Sequence, residues 1–509
     1  DTSSGDNCFV LMDRQPYQEA PFQDWEIAKM RGYFLANLNV RGTGANVASP
    51  GATPALDATG TTGGYRFDWQ RDSALSVEVL LRVAGSAVGR VGDAHHIGPA
   101  AAQAIARAYT TWVEGVVASD QSQLPGLPGG VVDSHKEPKW DIDKQRPFVG
   151  SWCRPQTDGP PLRAKTLMLI ANGTLDTQEL SRVWGLIKYD LDWIAKPGVA
   201  ESYSCDLWEE PGEGNLFWNR MAVRGALVMG SYVARGIGDP ARAKAYLEAA
   251  RLSVPKPVAD HRRFVGGDGG GFVAECDAGR SDGPCFSKGK DIDSAVILAF
   301  IHSGWIDYPE PRGLTLAPAS SPLDEIVANT VRAHVEAFCR AYRVNQKDFA
   351  ANVPGVLLGR YPRDVYGGGN PWLLSTAALA TLLYQAAQAA VWDAVTPAKL
   401  AAWRRALGAP TFDGSATAFL AAGDSVLSRL RRYAQVDDFH LYEQIGRDSG
   451  KQFNAKDLTW SYAEVLNALV ERDILVGWVT AEERRLSPAA PEPGAAAGGA
   501  AAGATSAEA

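Results

Sequence analysis

The chain is poor in the residues that announce several common functions. Its 509 residues include six cysteines, seven histidines and five methionines, with no CxxC pair and no Cys/His cluster. That excludes a dense disulfide scaffold and zinc-finger-like sites. His95-His96 has no carboxylate or cysteine partner at ligand spacing, so no metal or other cofactor is expected. No serine stands in a GxSxG elbow, which removes support for a serine hydrolase. The glycine run Gly266 to Gly271 lacks GK[ST] and a preceding strand, so it reads as a flexible loop rather than a phosphate cradle. With 50 basic against 58 acidic side chains, a net charge of −8 disfavours nucleic acid and anionic membranes as partners.

Long apolar runs are equally scarce. Leu373 to Trp392 carries no formal charge, but Ser375, Thr376, Gln385, Gln388 and many alanines keep it modestly hydrophobic. It reads as a helix buried inside a large helical protein, with a membrane span as the alternative. Cys276 and Cys285, with eight turn-rich residues between them, are the best-placed disulfide pair, and six unpaired thiols is the other reading. The chain opens on Asp1, as a processed mature form or a recombinant fragment does, and Asn172-Gly-Thr is its sole glycosylation sequon. These features lean towards a secreted or luminal protein, in an extracellular, vacuolar or similar compartment.

What the chain does have is helical periodicity. Helices are predicted over 23–38, 72–84, 98–117, 162–172, 176–195, 217–235, 240–252, 291–303, 322–343, 372–392, 412–434 and 457–471. Asp239-Pro240 opens one as N-cap and first helical residue, and Gly236 closes another. The connections are rich in Gly, Pro and Trp, which suggests a toroid of paired helices with loops gathered at one end. Residues 1–22 are expected to form an N-terminal arm, 23–486 the body, and 487–509 a low-complexity Ala/Gly/Pro tail. No heptad run marks an oligomer interface, and a monomer is expected.

Five loop segments concentrate tryptophan, arginine and carboxylates: YRFDWQRD (Tyr65 to Asp72), GSWCRPQTDGPPLRA (Gly150 to Ala164), CDLWEE (Cys205 to Glu210), GRYPRDVYGGGNPW (Gly359 to Trp372) and EQIGRDSGKQFNAKDLTWSY (Glu443 to Tyr462). Aromatic faces stack on the C–H faces of sugars, while Arg and Asp satisfy hydroxyls with charge-assisted hydrogen bonds. Trp is about as abundant as Tyr and Phe here, at 15, 16 and 16, so these stacking faces are available in number.

In order and spacing these segments resemble the glucoamylases of glycoside hydrolase family 15, from about Trp25 to Ala468. DLWEE, RYP.D.Y.GGNPW and DLTWSY are the most specific strings. The resemblance implies an all-α, (α/α)6 barrel whose pocket releases glucose from non-reducing ends of starch, glycogen or maltooligosaccharides. It implies Glu209 as general acid and Glu443 as general base, with Asp206 and Glu210 tuning the acid. Tyr65, Trp69, Arg71 and Asp72 would grip the terminal glucose, and Trp152 and Arg154 would flank the scissile bond. Arg360 and Tyr361 would add polar contacts, and Trp208, Trp372 and Trp460 pocket walls. The stretch from Ser287 to His302 also matches the family, with no function carried onto it.

Inverting hydrolysis of an acetal needs one protonated carboxyl at the leaving oxygen and one carboxylate activating water. Asp206 could be offered as base, but it stands three residues before the acid, beside it rather than across the sugar. Lys451, Asn454 and Arg363 depart from the family pattern; the two cations are expected near the pocket, affecting pH optimum or outer sugar subsites. A non-catalytic glucan-binding protein, and a trehalase- or phosphorylase-like enzyme, are the competing readings. Keeping Glu209, Glu443, Arg71 and Asp72 together argues for the hydrolase.

Overall fold

The computed structural model describes residues 7–12, 20–51, 64–90, 96–174, 177–253, 260–264, 270–277, 289, 291–302 and 321–486. Its main helices are α1 (Asp24–Ala36), α2 (Gln70–Ala84), α3 (Pro99–Ala118), α4 (Gly159–Thr174), α5 (Thr177–Ile194), α6 (Phe217–Gly236), α7 (Pro240–Ser253), α8 (Ala295–His302), α9 (Glu325–Ala341), α10 (Leu373–Trp392), α11 (Pro397–Ala406), α12 (Ala416–Ala434) and α13 (Thr459–Leu486). Local chemistry sets several ends. Asp239 accepts from the backbone N–H of Arg242 at 3.1 Å and starts α7. Thr396 and Ser415 cap α11 and α12 through their hydroxyls.

The packing closes a ring. α2 packs on α4, α4 on α6, α6 on α8, α8 on α10, α10 on α13, and α13 returns to α2. Outside it, α1 lies on α13, α3 on α2, α5 on α4 and α6, α7 on α6, and α12 on α10 and α13. The result is the expected (α/α)6 barrel. An inner helix is covered on both sides, so it must be apolar nearly all round. α10 meets that demand: every residue from Leu373 to Gln388 is buried. Among the described residues no helix is long and apolar enough to cross a membrane.

Among the described residues, seven short strands decorate the loops. β1 (Phe67–Trp69), β2 (Lys139–Asp141) and β3 (Arg146–Pro147) form one antiparallel sheet in that order, with Trp69 opposite Lys139. β4 (Arg262–Phe264) pairs with β5 (Gly271–Val273), against which α9 packs, and β6 (Gln444–Ile445) pairs with β7 (Gln452–Phe453).

Three features differ from expectation. α11 was not foreseen, because its ten residues offer a single short apolar stripe. α13 runs fifteen residues beyond 471, its far half anchored by buried Leu475 and Val479 and by Trp478 against Trp392. The reading of six unpaired thiols is overturned by bonds Cys8–Cys339 and Cys153–Cys205. Cys276 is also disulfide-bonded, and its expected partner Cys285 lies outside the described residues. So do residues 1–6 and 13–19 of the arm, His95, most of the glycine run, and the tail 487–509.

Candidate active site

All six inner helices receive, at their N-termini, one of the segments singled out by sequence. Tyr65 to Asp72 leads into α2, residues 150–158 into α4, 205–216 into α6, 291–294 into α8, 359–372 into α10 and 443–458 into α13. The inner helices therefore turn their positive ends to one mouth of the barrel. That field favours the carboxylates crowded there.

Glu209 sits in a turn with left-handed backbone, φ 63°, a conformation uncommon for a residue with a side chain. Asp206 holds the turn: its carboxylate accepts from the N–H groups of Trp208 (3.1 Å) and Glu210 (2.9 Å). The Glu209 side chain remains 17% exposed. Its Oε1 accepts from Arg71 Nη2 at 3.1 Å and its Oε2 from the Trp152 indole N–H. The Cys153–Cys205 bond ties the Trp152 loop to the Glu209 loop.

Arg71 serves three carboxylates, Glu209, Asp72 (3.2 Å) and Asp158 (3.3 Å), and lies over the Trp460 ring at 5.3 Å. One cation among three anions leaves negative charge uncompensated. Burial pushes the Asp72 carboxyl up to about 6; Arg71 pulls it back and Glu209 pushes it further. The expected tuning neighbours have other tasks. Glu210 pairs with Arg360 at 3.1 Å and accepts from the Tyr361 hydroxyl at 2.8 Å. Arg360 also grips Asp364 with two hydrogen bonds and lies among the rings of Trp208, Tyr361, Tyr366 and Trp372.

Glu443 is 2% exposed and heads the β6–β7 ribbon. Its Oε1 accepts from the Tyr65 hydroxyl at 2.6 Å; its Oε2 accepts from Gln444 Nε2 at 3.0 Å and from Asn454 Nδ2. Tyr366 joins this group through its hydroxyl, 2.5 Å from that of Tyr65. Burial pushes the Glu443 carboxyl up to about 7, against the Tyr65, Asn454 and Gln444 donors and the Arg360 charge. Burial also pushes the Tyr65 phenol well above its usual range, so it stays protonated and donates. The glycines before α10 serve this side: Gly367 has φ +60°, and a Cβ there would meet Gln444 Oε1 at 2.5 Å.

The aromatic walls run between the two carboxylates. Tyr65 neighbours Trp69, Trp69 neighbours Trp152, and Trp208 neighbours Trp372, all with ring centroids 5.4–6.2 Å apart. Trp208 is fixed by Asp293, which accepts its indole N–H at 2.8 Å. The indole nitrogens of Trp69 and Trp372 have no hydrogen-bond partner among the described residues.

Arg154 spends most of its donors inside the protein. It binds Glu137 at 2.6 Å and the carbonyls of Phe148, Gly150 and Trp152, so its guanidinium braces the Trp152 loop from within. Lys451 is exposed and, with Tyr433, Asp437, Tyr442 and Lys456, lines a cleft of about 700 Å³ on the ribbon whose lining includes neither Glu209 nor Glu443. Arg363 is exposed beside Gly289. Sequence reasoning missed Tyr366, Asp364, Asp158 and Lys139. The first three stood inside quoted motifs. Lys139, buried with its ammonium 3.7 Å from the Trp152 ring centroid, had no such signal.

A helical barrel whose loop end gathers carboxylates among tryptophans and arginines is the architecture of a sugar-cleaving enzyme. Residues 29–470 match the family described as glycosyl hydrolases family 15, and the chain belongs to that family. It is 30% identical over 462 residues to glucoamylase-1 of Schizophyllum commune, covering 86% of this chain and 71% of that one. The solved family 15 glucoamylase of Hypocrea jecorina superposes with a TM-score of 0.67 at 26% identity, covering 89% of this chain and 72% of that one. The Saccharomycopsis fibuligera glucoamylase shares the fold at TM-score 0.68 and 21% identity, covering 93% and 98%.

Proposed function

We infer that this chain is an exo-acting glucan 1,4-alpha-glucosidase. It removes glucose from the non-reducing ends of starch, glycogen or maltooligosaccharides by α-1,4 cleavage, and more slowly by α-1,6 cleavage. The observation that carries the reading is the pairing of Glu209 and Glu443 on separate loops of one pocket, each with donors suited to a carboxylate. Glu209, facing the Trp152 indole and the Arg71 guanidinium, protonates the leaving oxygen. Glu443, whose donors favour the anion, activates water on the opposite face, and β-D-glucose leaves with inversion.

Tyr65, Trp69, Arg71 and Asp72 hold the terminal glucose. Trp152, Trp208, Trp372 and Trp460 wall it, and Arg360 with Tyr361 and Glu210 fixes the far rim. Asp206 shapes the acid's turn. Arg154 acts on the sugar only through the Trp152 loop. The disulfides suit an oxidising, secretory compartment. Asn172 is exposed and accessible to glycosylation. Residues 23–486 form the catalytic unit, which acts as a monomer.

The test is a short incubation with maltoheptaose, following the product anomer by proton NMR before mutarotation. β-Glucose alone is the expected product. α-Glucose would overturn the inverting mechanism. Absence of glucose with maltoheptaose still bound would favour a non-catalytic glucan binder.

A further inference from the structure

Beneath Arg71 lies a carboxylate that the acid/base scheme does not use. Glu464 is on α13, four residues after Trp460 and so on the same helix face. It is 0% exposed. Its Oε1 accepts from the Trp460 indole N–H at 2.8 Å and from His302 Nε2 at 2.7 Å, while its buried Oε2 has no hydrogen-bond partner among the described residues. His302 ends α8, and its carbonyl accepts from Lys165 of α4, which pairs with Glu78 of α2.

The path continues back to its start. Trp218 of α6 stands edge-on to His302 with centroids 6.3 Å apart, and its indole N–H donates to Asp158 Oδ2 at 2.9 Å. That same oxygen lies 3.3 Å from Arg71 Nη1. Arg71, Trp460, Glu464, His302, Trp218 and Asp158 therefore close a circuit that draws on five of the six inner helices or their leading loops. Packing alone could seat a tryptophan in a wall. A buried carboxylate with one orphaned oxygen is costly there, and what it supplies is a strong, directional acceptor for the indole.

We propose that Glu464, paired with His302, is a positioning residue for catalysis: it fixes the Trp460 ring, which carries the Arg71 guanidinium against Glu209. The proposal rests on Arg71 gripping the terminal glucose and on Glu209 being the acid. In Glu464→Leu the ring and the guanidinium lose their common reference. Both KM and kcat then worsen on maltose, each by about tenfold. Glu464→Gln keeps an acceptor oxygen for the indole and recovers kcat and KM to within about threefold. Trp460→Phe removes the donor but keeps a ring, so it mimics Glu464→Leu, and combining the two adds little further loss.

These variants are assayed in the full chain, well below the melting temperature of each. Parental kcat and KM in Glu464→Leu would overturn the proposal, as would independent, multiplying effects of Glu464→Leu and Trp460→Phe. If Glu464→Leu does not fold, Trp460→Phe and Glu464→Gln decide, and parental kinetics in Trp460→Phe is then the overturning result. Failure of the acid assignment is distinguishable: Glu209→Gln would stay active on maltose. In that case calorimetry still reports whether Glu464→Leu weakens maltose binding through Arg71, and unchanged binding would count against the proposal.

Discussion

Glu209 is held by a guanidinium, an indole and, at loop level, a disulfide, in a turn with left-handed backbone. Glu443 is held by a phenol and two amides, on a two-stranded ribbon, and is far more deeply buried. One side is organised by charge and a covalent tie, the other by neutral donors. The difference follows from the two tasks. The acid must sit where a proton can be held among competing carboxylates and delivered to a leaving oxygen. The base must be ionised yet basic, and a cation in direct contact would favour the anion so strongly that its pull on water would weaken.

The sharpest way to separate the two sides is to neutralise each carboxylate and vary the leaving group. Glu443→Gln is expected to lower kcat by about 10³-fold or more on maltose and on 4-nitrophenyl α-glucoside alike, with binding nearly intact. Glu209→Gln is expected to fall as far on maltose but to recover much of its rate on the aryl glucoside, whose leaving group needs little protonation. Equal losses on both substrates in both variants would erase the distinction.

Next in size is Arg154→Met, which probes the scaffold of the acid side alone. It leaves Glu137 buried without its cation, a loss of about 3 kcal/mol that appears as a lower Tm. The Trp152 loop, which the Arg154 guanidinium braces, loosens with it, so KM on maltose rises. A normal Tm with raised KM would instead mean that Arg154 touches substrate directly.

These two sides were unequally legible in the sequence. DLWEE and the flanking Trp and Arg strings lie at helix starts, where local order and spacing carry the information. Asn454, which donates to the base, and Tyr366, which meets Tyr65 and Asn454 beside it, stand 11 and 77 positions from Glu443 and are brought there by the ribbon and the glycine turn. Asn454 was noticed only as a departure from a pattern, and its role as a donor needed the fold. The same limit hid Cys8–Cys339, whose partners are 331 residues apart, and Lys139, which reads as a surface charge until its cage of rings is assembled. The twelve expected helices emerged well because their periodicity is local. α11 and the outer half of α13 did not, because tertiary contacts rather than a strong stripe stabilise them.

Asn454→Leu tests the neutral-donor side more gently. Removing one donor that favours the Glu443 anion lets burial push the carboxyl further up from about 7. The acid limb of the kcat/KM profile, which reports the free-enzyme base, therefore moves to higher pH by about half a unit to one unit. A shift to lower pH would mean that Asn454 offers its oxygen, not its amide N–H, to Glu443.

The smallest expected effect is the one that fixes where this side ends. Lys451 stands eight residues after the base and adds a positive charge, so by sequence alone it belongs to the pocket. In the fold it is exposed on the outer cleft of the ribbon, where water and salt screen it: at 0.15 M ionic strength the screening length is about 8 Å. Lys451→Gln is therefore expected to leave kcat, KM and the acid limb at the parental values, in contrast to Asn454→Leu on the same ribbon. An acid limb moved by more than about 0.3 units at that ionic strength would show that the field of Lys451 reaches Glu443. The base would then depend on a cation of the outer cleft as well as on Arg360.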